Sequence, residues 1–106
     1  MSARHSFAPV FAALGDETRL ALVSKLCGSG PMSITRLTEG SKVTRQAVTK
    51  HLHLLAGAGL VKARRCGREQ LWQLEPARLV EARRHLEIIS RQWDSALSRL
   101  KAAVEE

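Results

Sequence analysis

Apolar positions recur along this chain with a helical period, except in one short stretch where they alternate. The periodic runs are separated by glycine, proline and capping residues. Residues about 6–14 (SFAPVFAAL) predict a short apolar helix, with Pro9 tolerated only in its first turn. After Gly15, Asp16 offers a carboxylate cap for a second helix, DETRLALVSKL. Leu20, Leu22, Val23 and Leu26 are expected to face inward, with Cys27 as a small core residue. Gly28-Ser29-Gly30-Pro31 ends that run, and Met32 predicts a strand of one or two residues. Ser33 caps a third, short helix carrying Ile34 and Leu37, stopped at Gly40. Thr44 then caps a fourth, in which Val43, Ala47, Val48, His51, Leu52 and Leu55 lie on or beside one face.

The alternating stretch follows. Leu60, Val61 and Ala63 on one side of Cys66-Gly67-Arg68, and Leu71, Trp72 and Leu74 on the other, predict a β-hairpin. A two-stranded ribbon is marginal alone, so it must dock on the helices through Trp72 or Leu74. Pro76 suits the first position of a long last helix. There Leu79, Leu86, Trp93 and Leu100 recur every seven residues, with Ala82, Ile89, Ala96 and Ala103 three residues after each. Leu97 and Val104 widen the stripe. So small a core cannot cover it, which predicts a homodimer. The expected fold class is mainly α with a small β-hairpin wing, a winged helix-turn-helix. A single domain is expected over 1–106, with the helix-turn-helix at about 33–57, the wing at 60–75 and the last helix at 76–104.

Charge sharpens this picture. The formal net charge is +7, unevenly spread. Between Lys42 and Arg68 stand Lys42, Arg45, Lys50, Lys62, Arg64, Arg65 and Arg68, with no Asp or Glu. From Pro76 onward, cations and acids nearly balance. Positive charge gathered on a short helix with a dry back and a polar front suits DNA. Arg45, Gln46 and Thr49 are the expected base contacts. Arg forks onto guanine, Gln onto adenine, and Thr meets a thymine methyl. Thr44, Lys50 and a protonated His53 are expected on phosphates, and Arg64, Arg65 and Arg68 on the backbone or the adjacent minor groove.

Other chemistry is thinly represented. The chain has no Gly-rich phosphate loop, no nucleophile–base pair and no metal-ligand cluster, so no enzyme, cofactor or metal is expected. His51 and His53 stand two apart on a helix and cannot share a face, and His5 falls in a terminus expected to fray. His85 with Glu81 and Glu87 is a poor start for zinc. Cys66, among Arg64, Arg65 and Arg68, is a candidate redox site that competes with an incidental surface thiol. Trp93 is read as dimer core, with a pocket for a small apolar effector as the alternative. No run approaches the roughly 18 apolar residues of a membrane span, and no signal peptide is read. Two cysteines do not make a disulfide scaffold, so a reduced, cytoplasmic setting is expected. An architectural or protein-interaction module is the competing class.

Three segments, FAALGDETRLALVSKL, VTRQAVTKHLHLLAGAGLV and RRCGREQLWQL, make the chain resemble the ArsR-type winged-helix repressors over nearly its whole length. The resemblance implies a dimer formed by the first and last helices, with Phe7, Phe11, Leu79, Leu86, Ile89, Trp93, Leu97 and Leu100 at the interface. It also implies repression from an inverted repeat in the protein's own promoter. Metal-sensing members carry a Cys-x-Cys pair in the helix before the reading helix. Here that segment, MSITRLTEG, has no Cys, His or Asp, and the ending QWDSALSRLKAAVEE resembles a metal-independent branch.

Overall fold

A computed structural model describes residues 7–105. The order is α1 (Ala8–Leu14), α2 (Glu17–Ser29), β1 (Met32–Ser33), α3 (Ile34–Thr38), α4 (Arg45–Gly57), β2 (Val61–Cys66), β3 (Glu69–Leu74) and α5 (Pro76–Glu105). The expected element types all form; His5 lies outside the described residues. The helix starts follow from side-chain caps. The Asp16 carboxylate accepts from the Arg19 N–H at 3.0 Å, Ser33 Oγ from Arg36 at 3.3 Å and Thr44 Oγ1 from Ala47 at 3.1 Å. Each satisfies a backbone donor that the first helical turn leaves without a partner.

The end of α4 is fixed by Gly59. Its φ of +80° lets the Leu60 N–H reach the Leu55 carbonyl at 3.0 Å while its own N–H reaches Ala56 at 2.9 Å. This closes the helix as a Schellman motif and turns the chain into β2. At the wing tip Cys66 pairs with Glu69, leaving a two-residue loop. Gly67 takes a φ of +63°, and among the described residues no non-glycine has positive φ. Positive φ at the first loop position alone suits a type II′ hairpin.

The hairpin gains a third strand. Met32 and Ser33 pair antiparallel with Trp72 and Leu71, so the sheet runs β1-β3-β2 with β3 central. This pairing joins residues some forty positions apart and seats the wing on the helical core through Trp72. The core gathers Val10, Leu22, Leu26, Leu37, Val48, Leu52, Leu55, Leu60 and Trp72, and Leu74 packs at its edge.

Two expectations on α2 need correction: Leu20 and Cys27 are exposed. At about 100° per residue, Leu22, Leu26 and Val23 span an arc of about 100°, and Leu20 lies about 60° beyond its Val23 edge. Cys27 falls on the margin of that arc.

The last helix runs 30 residues, and the molecule extends 66 Å along its longest axis. Only its first turns are seated. Ala82 is buried, Leu79 packs on the core, and His85 lies against the Phe7 ring at 4.1 Å between centroids. Phe7 and Leu79, expected at a dimer interface, are thus already engaged within the chain. Phe11 is half-buried. Beyond that point Leu86, Ile89, Trp93, Leu97 and Leu100 stand exposed, Trp93 and Leu100 at 62% each. Among the described residues no helix is long and apolar enough to cross a membrane.

Candidate nucleic-acid interface

Helix α4 is anchored from behind. Val48, Leu52 and Leu55 are fully buried. His51, on the same side, is half-buried, with Nδ1 3.2 Å from an Arg19 guanidinium nitrogen. Arg19 also donates from Nε to the Ala13 carbonyl at 2.6 Å, so one side chain ties the end of α1, the start of α2 and the back of α4. His51 Nδ1 lies 3.9 Å from the Asp16 carboxylate. The Arg19 N–H bond holds the Asp16 carboxyl below its usual value, with a smaller contribution from the charges of Arg19 and His51. His51 is thus a packed, hydrogen-bonded histidine, as its position on the inner face suggested.

The exposed side divides into a ridge and a flank. Gln46, Lys50 and His53 stand opposite the buried stripe, whereas Arg45 and Thr49 lie on the flank that faces the wing. Thr49 Oγ1 donates back to the Arg45 carbonyl at 2.9 Å, which commits its hydroxyl hydrogen. Thr44 accepts as the cap and keeps its hydroxyl hydrogen free to donate. His53 is exposed yet meets Trp72 edge-on, 5.6 Å between centroids, so it braces the wing against α4.

The wing cations separate by strand register. Arg65 pairs with Gln70 and Arg64 with Leu71, and successive strand residues point to opposite faces. Arg65 therefore shares the face of Gln70 and Trp72, toward α4, while Arg64 lies on the other face with Cys66. Cys66 is exposed as expected, but its cross-strand partner is Glu69, an acid that offsets the basic setting expected from the sequence.

Between α4 and the wing lies a cleft of about 520 Å³, bordered by Arg45, Thr49 and His53, by Arg68, Glu69, Gln70 and Trp72, and by Thr35 and Arg36 of α3. Arg36, Glu69 and Gln70 were not singled out in the sequence. The only sequence signal for them is their nearness to Ser33 and Arg68, because the β1–β3 pairing that brings them together is long-range. Among the described residues no group of three or more His, Cys, Asp or Glu is placed to hold a metal ion.

Comparison with known proteins identifies this arrangement. A helix-turn-helix domain model matches residues 14–64. The HTH-type transcriptional regulator Rv2034 of Mycobacterium tuberculosis is 38% identical over 86 residues, covering 81% of this chain and 77% of that protein. An ArsR-like transcriptional regulator from Rhodococcus sp. RHA1 superposes with a TM-score of 0.74 at 40% identity, covering 90% of this chain and 89% of that one. A homodimeric winged helix-turn-helix DNA-binding domain from Mycobacterium bovis shares the fold at a TM-score of 0.64 and 21% identity, covering 80% and 78%. The chain belongs to the ArsR family of helix-turn-helix transcriptional regulators.

Proposed function

We propose that the chain, acting as one domain and as a homodimer in the cytoplasm, represses transcription by binding an inverted repeat in its own promoter. The observation that carries this reading is the polar side of α4. It presents Arg45, Gln46, Thr49 and Lys50 beside a basic wing, within a segment that has no acid from Lys42 to Arg68. In this reading α4 enters the major groove, where Arg45, Gln46 and the Thr49 methyl meet base edges. Thr44, Lys50 and His53 hold phosphates, and Arg64, Arg65 and Arg68 extend along the backbone to the next minor groove. The protein is a reader of DNA rather than a catalyst.

The dimer reading rests on the bare stripe of α5, where Leu86, Ile89, Trp93, Leu97 and Leu100 lack cover, and on the homodimeric M. bovis domain of the same fold. Two-fold symmetry of the protein then requires a two-fold repeat in the operator.

The test is fluorescence anisotropy with the protein's own promoter region and a scrambled duplex across a salt series. We expect tighter binding to the promoter and, for about four to six neutralised phosphates, a slope of log K against log salt of about −4 to −5. Equal affinity for both duplexes, or indifference to salt, overturns the reading.

A further inference from the structure

The cleft between α4 and the wing draws three arginines from three separate elements: Arg36 from α3, Arg45 from the start of α4 and Arg68 from the hairpin tip. Among the described residues none of the three is in an ion pair. By contrast, Lys62, Arg78 and Arg83 are each matched to a carboxylate within 4.0 Å. The one acid that borders the cleft, Glu69, makes no ion pair with the arginines around it. The chain therefore holds a net positive concavity on its DNA-facing side, where convergent charge focuses potential most strongly.

Duplex geometry says what must fill it. A helix in the major groove and a wing over the adjacent minor groove are separated by one sugar–phosphate backbone, since that backbone is the wall between the two grooves. The wall has to pass between α4 and the wing, along this cleft.

We infer that the cleft seats a DNA backbone phosphate, with Arg36 as a phosphate contact. The inference rests on the reading of α4 as the major-groove helix. It adds a residue of α3 to the interface. Arg36 forks onto two phosphate oxygens as arginine does with planar or tetrahedral oxyanions. It carries no sequence information, because every base pair presents the same phosphate.

The test measures anisotropy of the promoter-region duplex and a scrambled duplex of about 30 base pairs, each over a salt series, with wild type, Arg36→Ala, Arg36→Lys and Arg45→Ala. Arg36 is exposed, so thermal melting of Arg36→Ala should match wild type. We expect Arg36→Ala to weaken both duplexes alike, by roughly fivefold to tenfold, and to reduce the magnitude of the salt slope by about one per site. Arg36→Lys should recover most of the slope.

Unchanged affinity and slope for Arg36→Ala, while Arg45→Ala still lowers promoter affinity, overturns this inference and leaves the reading of α4 standing. If Arg45→Ala is also without effect, α4 is not the reader, and both fail. Loss confined to the promoter duplex makes Arg36 a base contact and overturns the phosphate role. Stoichiometric capture of inorganic phosphate by the DNA-free protein, absent in Arg36→Ala, assigns the cleft to a free anion and overturns it too.

Discussion

Helices α4 and α5 are both amphipathic, yet they end in opposite situations. The 13 residues of α4 bury their main stripe: Val48, Leu52 and Leu55 touch no solvent, and what remains outside is largely polar, with Leu54 the exposed large apolar side chain. The 30 residues of α5 bury only Ala82, and a longer stripe from Leu86 to Leu100 stands in water. Large contiguous apolar exposure is unusual in a monomer and marks a surface with a partner. Periodicity thus defines an apolar face but not what covers it. In α4 the cover is the chain's own core. In α5 the proposed cover is a second copy, while the front of α4 is the face proposed to meet DNA.

Substitutions on the two helices separate these demands. The largest effect is expected from Leu86→Glu, which places a carboxylate in each half of a dry seam. An unpaired buried charge costs about 3–5 kcal/mol, so sedimentation should show a monomer at micromolar concentration and operator binding should vanish. A variant that stays dimeric, or a wild type that is itself a stable monomer, removes the basis of the comparison.

Leu52→Ala strikes the other stripe. Truncating a fully buried leucine costs about 2–5 kcal/mol through lost burial and a residual cavity. The loss should appear in urea unfolding of wild type and of the Leu86→Glu chain alike, because Leu52 lies in the core and Leu86 stands exposed outside it. A loss seen only in the dimer would show that α4 depends on the partner.

A smaller change tests the front of α4. Arg45→Ala should lower discrimination between operator and random DNA by about 1–3 kcal/mol, whereas Arg65→Ala should weaken both by a common factor. Equal weakening by both variants makes Arg45 a backbone contact.

The smallest effect concerns how α4 is held from behind. The Asp16 carboxyl is held below the ordinary aspartate value of 3.8, chiefly by the Arg19 N–H. Its contribution to stability is therefore fully present above that value and is lost as pH falls through the lower value of the folded state. Urea midpoints measured down through that acid range should fall more steeply for wild type than for Asp16→Asn. Parallel curves would remove Asp16 from the acid sensitivity.

What the sequence by itself determined was local. Capping chemistry at Asp16, Ser33 and Thr44, the turn at Gly67 and Pro76 at a helix start all act within a few residues, so their signals lie side by side in the chain. Segments of strong period were legible for the same reason, and so was the basic block that marks the reading element. Errors came where an arc margin decides burial, as at Leu20 and Cys27. Only the tertiary structure decided that Met32–Ser33 pairs with β3, that Arg64 and Arg65 face apart, that His53 braces Trp72, and that Arg36 and Glu69 border the cleft. Each of these depends on the register or docking of elements distant in sequence. The physical reason is that a side chain's direction follows from its own backbone, but its neighbours follow from how whole elements close on a shared core.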